Sequence, residues 1–507
     1  MPQADPIAIR VLAFLAAVVL VLSNVPGLVA QNCQDLLRRA QELLAQDQAE
    51  AALKPLQEAT EICPTNAYAY DLLGIALDTQ RRYEQAQQAH RKAVTLSPGW
   101  PSFHNNLAIS YAHSGKNSQA KAELKMALRL DPHNLVANAN LADFCLGEKQ
   151  YRQALEYLQN AGASQSTDPP LVYTLAQAYF GVGQTQLAVE TLERLSRLAA
   201  TNEKMRFAAG LLLAENHQYA EAVKQFAAIP VGDRDFAVCQ NLGLAYSRLG
   251  QHESAQIAFE QALRLDPSNP EPYFEIGINL LDGRRPGQAV YPLTQAHQQA
   301  PQRVDIACAL VQALIQTQQL NQARDLLAEV CAKAPNDATV VETQGDLYIA
   351  EGEPAKALDA YRRALRLSQN NLPARLSLAK TWLRLEQITQ AKLEFEKALE
   401  SDPTNAEAHA GLGRIALRVG QEELAMRELS AALRRDPNEL DANEDMAAVK
   451  TRRSEFAEAE EILEKLVRLE PNTARYHYQL GRVLLKLGKT AAAQQEFARS
   501  ENIEKAK

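Results

Sequence analysis

An all-α solenoid of antiparallel helix pairs is the fold this sequence predicts, on three observations. An alanine recurs fourteen times from Ala52 to Ala493, at steps of 34 residues except for one step of 33 between Ala222 and Ala255. A period of that length marks a stacked array of one small unit. Within each unit, apolar residues take places 4, 7, 8 and 11, then 20, 24, 27 and 28, the spacing of two apolar helix stripes. A polar break separates the stripes, as in Leu249-Gly250-Gln251, and strand-rich stretches are absent. Place 1 falls at Cys33, Ala67, Pro101, Leu135, Pro169, Glu203, Phe236, Pro270, Val304, Ala338, Leu372, Ala406, Leu440 and Ala474. The array is expected to run from residue 33 to residue 507.

The first helix of the unit rests on a large apolar residue at place 7 (Leu73, Leu107, Leu141) and a small one at place 8 (Gly74, Ala108, Gly210). An aromatic often follows at place 11, as in Tyr111, Tyr179 and Trp382. Small residues at places 8 and 20 let the two helices approach, and the large ones at 7, 11 and 24 fill the flanking gaps. The turn comes next, near places 14 to 18. The second helix stops at place 32, commonly a proline such as Pro132 or Pro403, because proline lacks the N–H and clashes with the turn before it. The aspartates of Asp131-Pro132 and Asp402-Pro403 are pushed out of helical geometry as well. Two units depart. The fourth ends in a polar stretch from Gly162 to Pro170, and the sixth has Ala209 at place 7 and ends early, near Ile229 to Asp233. The sixth is therefore the expected internal hinge.

The segment from Asn241 to Asn269, NLGLAYSRLGQHESAQIAFEQALRLDPSN, resembles the tetratricopeptide repeat family over nearly its whole length, and the resemblance extends from Cys33 to Lys507. It implies a right-handed superhelical solenoid whose first helices line a concave groove through places 2, 5, 9, 12 and 13. It also implies a protein-binding role without naming an activity, since one fold serves many functions. Members that clamp a C-terminal carboxylate pair a lysine at place 5 with an asparagine at place 9, and no unit here does. An asparagine ladder at place 6 is present only as Asn106, Asn140 and Asn241.

Residues 1 to 30 lie outside the repeat. Arg10 precedes twelve apolar residues, Val11 to Leu22, and a breaker segment, Ser23-Asn24-Val25-Pro26-Gly27, follows. This is the layout of a secretory signal peptide, cleaved after Ala30; the alternative is an uncleaved N-terminal anchor. Twelve residues are short for a membrane span, which needs about 20. The expected location is the periplasm or the extracellular space, with membrane attachment through this segment under the alternative. The cysteines bear on the same question. In a helix pair folded around place 16, facing places sum to about 32. Cys33 and Cys63 take places 1 and 31, and Cys308 and Cys331 take places 5 and 28. Two disulfides within single repeats are expected, each compatible with an exported protein; for Cys308 and Cys331 the alternative is small apolar filling. Cys145 and Cys239 have no such partner and read as buried thiols.

Catalysis finds little footing. The nine histidines are scattered, and none forms a metal-type pair on one helix turn. His104, His409 and His477 stand at place 4, where a packed aromatic is usual, and read as aromatic substitutes. Carboxylates are numerous and are assigned to solvated helix faces. No enzyme activity, cofactor or metal is expected. A net charge of −8 over 507 residues gives no support to nucleic-acid binding.

Function is thus expected on the groove. Repeats five to eight place Tyr173, Phe180, Phe207 and Phe274 there. Repeats eleven to fourteen offer Lys380, Arg384, Arg414, Arg418, Arg452, Arg453, Arg475, Arg482 and Lys486. An apolar middle and a basic end suit a protein segment with an apolar stretch and an acidic end, the arginines pairing carboxylates. The leading reading is a non-enzymatic scaffold of the cell envelope or secreted space. The alternative is a carbohydrate- or polymer-binding module of an export or surface-assembly machine, held by the same aromatics.

Overall fold

A computed structural model describes residues 28–505, and every regular element among them is helical. The predicted export segment lies outside the described residues, apart from the three that open the first helix, Leu28–Ala45. From the second repeat onward each first helix starts on place 1 and runs for 13 residues, as in Ala67–Thr79, Leu372–Arg384 and Ala474–Lys486. The second helices start on place 17 and mostly run for 14 residues, as in Tyr83–Leu96. Two are shorter: Tyr151–Asn160 with 10 residues and Tyr219–Ala227 with 9, the latter followed by a 3-10 turn at Val231–Asp233. These are the two units whose endings depart in sequence. An arginine ties down each shortened end. Arg194 donates to the carbonyls of Ala163 and Ser164, and Arg234 donates to those of Ala227 and Ile229.

The local causes repeat with the unit. At place 34, Asn66, Asn134, Asp168 and Asn202 accept hydrogen bonds from the opening N–H groups of the next first helix. At place 15 every repeat has a residue of positive φ: six glycines, such as Gly115 and Gly420, and eight other residues, from Asp47 and Arg81 to Ser454. The N–H of place 16 then reaches back to the carbonyl of place 11, as from Lys116 to Tyr111 and from Gln387 to Trp382, both at 2.9 Å. This is a Schellman closure, and the left-handed residue is what it requires.

Helix pairs pack through places 8 and 24. A Cβ on Gly345 would lie 2.5 Å from the Tyr361 ring, and one on Gly210 would lie 2.4 Å from Phe226. Glycine is thus the residue that admits a full aromatic ring between the helices. Packing between repeats sets the curvature. First helices of successive repeats touch, as Val304–Gln316 touches Ala338–Ala350 and Ala406–Arg418 touches Leu440–Arg452. Among the described residues no successive pair of second helices packs comparably, so within each unit the first helices are the closer-packed row.

The chain divides after Leu249 into two compact units, here unit 1 (to Leu249) and unit 2 (from Gly250). The division falls within the seventh repeat, one repeat beyond the expected hinge. Within unit 2, Arg284 in the turn of the eighth repeat comes within 3.5 Å of Glu470 at the end of the thirteenth.

Candidate functional site

The inner face of the first helices is the candidate site, and each unit presents its own stretch. In unit 1, Tyr173 (place 5 of the fifth repeat), Phe180 (place 12) and Phe207 (place 5 of the sixth) are half-buried. Burial pushes the Tyr173 hydroxyl up to about 12, with the carboxylate of Glu215 adding to it. The Phe207 ring lies 5.8 Å from that of Phe226. In unit 2, Phe274 is less available. The guanidinium of Arg303 sits 5.4 Å above its ring and is itself held by Glu271 and Asp305.

The basic end differs from the expectation. Lys380 at place 9 pairs with Glu407 at place 2 of the next repeat. Arg414, again at place 9, bridges Asp441 at 2.9 Å and Asp445 at 2.7 Å. Arg475 meets Glu444 at 2.7 Å. Arg453 caps its helix after place 13 and pairs with Glu423 and Glu455, away from the groove row. So Glu407, Asp441, Glu444 and Asp445 do not stand on solvated outer faces as assigned but pair with the cations of the first helices. Lys380 and Arg414 at place 9 each meet a carboxylate near the start of the next first helix, because those helices lie side by side; Arg482, at place 9 of the fourteenth repeat, does not among the described residues. Arg384, Arg452, Arg482 and Lys486 are exposed and have no carboxylate within ion-pair distance among the described residues; Arg418 reaches only the carbonyl of Leu383, at 3.3 Å. One repeat earlier, burial raises Glu342 to about 7, partly offset by a hydrogen bond from Asn371. Asp346, one turn along, is raised by burial as well and accepts from the Tyr361 hydroxyl at 2.7 Å.

Two polar arrangements were not legible as such in the sequence. The first is a buried cluster in the second repeat. His90 stands at place 24, where other repeats carry Phe226, Phe259 or Tyr361. Its Nδ1 lies 2.9 Å from Asp71 and its Nε2 lies 3.2 Å from Asp78, both groove residues, and Asn106 of the next repeat donates to Asp71. Burial opposes the charge of His90, but the two carboxylates outweigh it and hold the imidazole at about 9. Gly74 makes room, since a Cβ there would lie 2.4 Å from the ring.

The second is a clamp at place 4. His104, His409 and His477 each direct Nε2 at a carbonyl six residues earlier, that of Pro98, Pro403 and Pro471 respectively. Each also directs Nδ1 at a glutamate of the second helix: Glu123, Glu428 and Glu496. They are polar ties between repeats rather than aromatic substitutes. Asn138 and Asn443 reach the same carbonyl position, on Pro132 and Pro437, as does Arg375 on Gln369. The signal was a recurrent donor at place 4 following a proline at place 32.

The cysteines split. Cys33 and Cys63 are joined in a disulfide. Cys308 and Cys331 are free, contrary to the second expected bridge. Equal height along a helix pair is not equal facing: Cys308, at place 5, turns toward the next repeat, where its thiol is hydrogen-bonded with Thr343 and burial pushes it up to about 11. Cys145 and Cys239 are buried. Among the described residues no group of three or more His, Cys, Asp or Glu side chains is arranged to hold a metal ion, and no helix is long and apolar enough to cross a membrane.

Comparison with known proteins adds to this geometry. Three family models, each described as tetratricopeptide repeat, match the chain. One matches residues 67–99, 236–269 and 340–371, a second 146–206, 280–345 and 386–452, and a third 446–504; together they cover more than half of it. The BBSome complex member BBS4 of Bos taurus is 27% identical over 202 residues, 40% of this chain and 39% of that protein. Anaphase-promoting complex subunit 3 of Schizosaccharomyces pombe is 24% identical over 175 residues, 34% of this chain and 26% of that protein. Cellulose synthase operon protein C of Pseudomonas fluorescens is 25% identical over 293 residues, 52% of this chain and 22% of that protein. The chain thus spans less than half the length of each of these relatives. Among solved structures, the Cut9 and Hcn1 hetero-tetramer of the APC/C aligns with a TM-score of 0.44 at 16% identity, over 87% of this chain and 94% of the matched one.

Proposed function

The chain belongs to the tetratricopeptide repeat family, and from that premise we propose that it is a non-enzymatic scaffold holding a protein segment against the inner face of its first helices. The observation that carries this reading is the division of labour on that face. Most of its polar groups are spent on neighbouring repeats, yet Tyr173, Phe180 and Phe207 keep accessible aromatic surface and Arg384, Arg418 and Arg482 keep exposed charge. Aromatic and arginine side chains are the common anchors of protein interfaces. A photoreactive residue placed at Phe180 or Arg418 should capture a partner in cells of the native host. The same residue at Tyr291, on the outer face and 68% exposed, should not. Capture from Tyr291 alone would refute a groove-binding scaffold.

The same proposal places the array in the cell envelope or the secreted space. Two features support it: the apolar run from Val11 to Leu22 behind Arg10, and the Cys33–Cys63 disulfide, a bond that persists in oxidising compartments. A reporter active only outside the cytoplasm, fused after residue 60, tests it; an inactive fusion overturns it. A second reading, a binding module for a carbohydrate polymer, is favoured by the likeness to the cellulose synthase operon protein over 52% of this chain. Polymer binding would survive high salt and fail when Tyr173 and Phe207 become alanine. Binding of an acidic segment would show the reverse, because salt screens exposed charge pairs.

A further inference from the structure

The inner-face cations of repeats eleven to fourteen divide by place, with Arg482 at place 9, exposed and unpaired among the described residues, the exception. Lys380, Arg414 and Arg475, at places 9 and 2, are neutralised by carboxylates of a neighbouring repeat. Arg384, Arg418, Arg452 and Lys486 all stand at place 13, the last residue of four consecutive first helices. All four are exposed, and among the described residues none has a carboxylate partner. A helix C-terminus favours a cation, which accounts for the residue type at this place. It does not use up the side-chain N–H groups, which remain open apart from the one that Arg418 donates to the carbonyl of Leu383.

We propose that this row is the docking edge for an extended acidic protein segment with a carboxylate at about every third residue. The proposal rests on the groove-binding reading and deepens it. The helices that carry Arg384, Arg418 and Arg452 pack in succession, and packed helices lie about 8–10 Å apart, so this part of the row offers one cation per such step. An extended chain advances roughly 3.3 Å per residue, so about three residues carry it from one repeat to the next. About seven residues therefore meet Arg384, Arg418 and Arg452, and a longer segment continues toward Lys486. The arginine fork pairs a carboxylate through two N–H groups. Glu407, Asp441, Glu444 and Asp445 stand at places 2, 5 and 6, two to three turns along the same helices from place 13, and are already paired to Lys380, Arg414 and Arg475, so the free positive charge is concentrated at the place-13 edge. The net charge of −8 gives no general attraction for a nucleic acid, which favours an acidic peptide as the occupant.

The test uses the full chain and fluorescent dodecapeptides on an uncharged background. One set carries glutamate at every third position, one carries the same glutamates in a block, and others are basic, apolar or neutral. The every-third peptide should bind best. It should lose tenfold or more in affinity in the double variant Arg384→Gln with Arg452→Gln, and stay within twofold in Lys380→Gln, with thermal melting showing each variant folded. Equal binding of the blocked peptide, or loss in Lys380→Gln alone, overturns the spaced row. So does tighter binding of a single-stranded RNA of similar length. Preference for apolar peptides, abolished by Phe207→Ala, overturns the row and leaves the groove reading standing. No binding by any peptide removes both.

Discussion

His90 fills the position where Phe226, Phe259 and Tyr361 stand in other repeats, and it brings two groove carboxylates into the packing with it. Its folded pKa of about 9 lies above the ordinary 6.5, so the protonated ring stabilises the fold. That contribution is complete below pH 6.5 and is lost as pH rises through about 9. Chemical denaturation followed by circular dichroism should show unfolding free energy falling by on the order of 3 kcal/mol across this window. His90→Leu, which restores the apolar residue usual at place 24, should flatten that slope; an unchanged slope would assign the effect elsewhere. His104 contributes in the same direction, because its hydrogen bond to Glu123 outweighs burial and raises it. The paired groove cations belong at this scale too. Exposed pairs such as Lys380 with Glu407 are worth about 0–1 kcal/mol, so their main effect is to decide which cations remain open to a partner.

At the scale of the helix pair, complementarity between places 8 and 24 sets tolerance to substitution. Gly345→Ala drives a methyl group into the Tyr361 ring and should cost about 1–3 kcal/mol, most of it recovered when Tyr361→Leu is added. A single variant as stable as wild type would show that the helices can part to admit the methyl group. The turn behaves oppositely. Arg81 adopts φ 59°, a conformation costing a non-glycine residue about 1–2 kcal/mol, offset in part by the unfolded-state entropy of glycine. Arg81→Gly should therefore stabilise by roughly 0.5–1 kcal/mol in denaturant titration. Cys33 and Cys63 staple the first repeat at a separation of 30 residues. Closing a loop of that size stabilises by about 3–4 kcal/mol in the chain-entropy account. Thiol titration of the unfolded, unreduced protein should find four free thiols, and six after reduction.

Over the whole molecule, stability is a sum of repeat and interface contributions, because each repeat touches mainly its neighbours. The shortened second helices of the fourth and sixth repeats remove part of that interface and leave exposed chain at Ser164–Gln165 and Val231–Asp233. Limited proteolysis should cut there first, and a first cut inside the eleventh or twelfth repeat would contradict this. Arg194 and Arg234 hold the backbone at both places, so removing either side chain should speed cleavage at its own site.

The amino-acid sequence by itself determined the repeat, its register, the two helices of each unit and the weak endings, because each rests on local rules: apolar spacing, a polar break and a proline stop. The groove places came from the resemblance to the tetratricopeptide repeat family and not from the spacing alone. The sequence did not determine which groove charges are free. That depends on side chains 27 to 35 residues apart, such as Lys380 and Glu407, meeting across parallel helices, and on Arg384 finding no such neighbour. Nor did it separate Cys33–Cys63 from Cys308 and Cys331, since matching heights leave open which way each side chain faces. The buried His90 pair of carboxylates likewise exists only once two helices of one repeat and a third from the next close around it. Those outcomes belong to the tertiary structure, because they are set by the rotation and proximity of neighbouring helices.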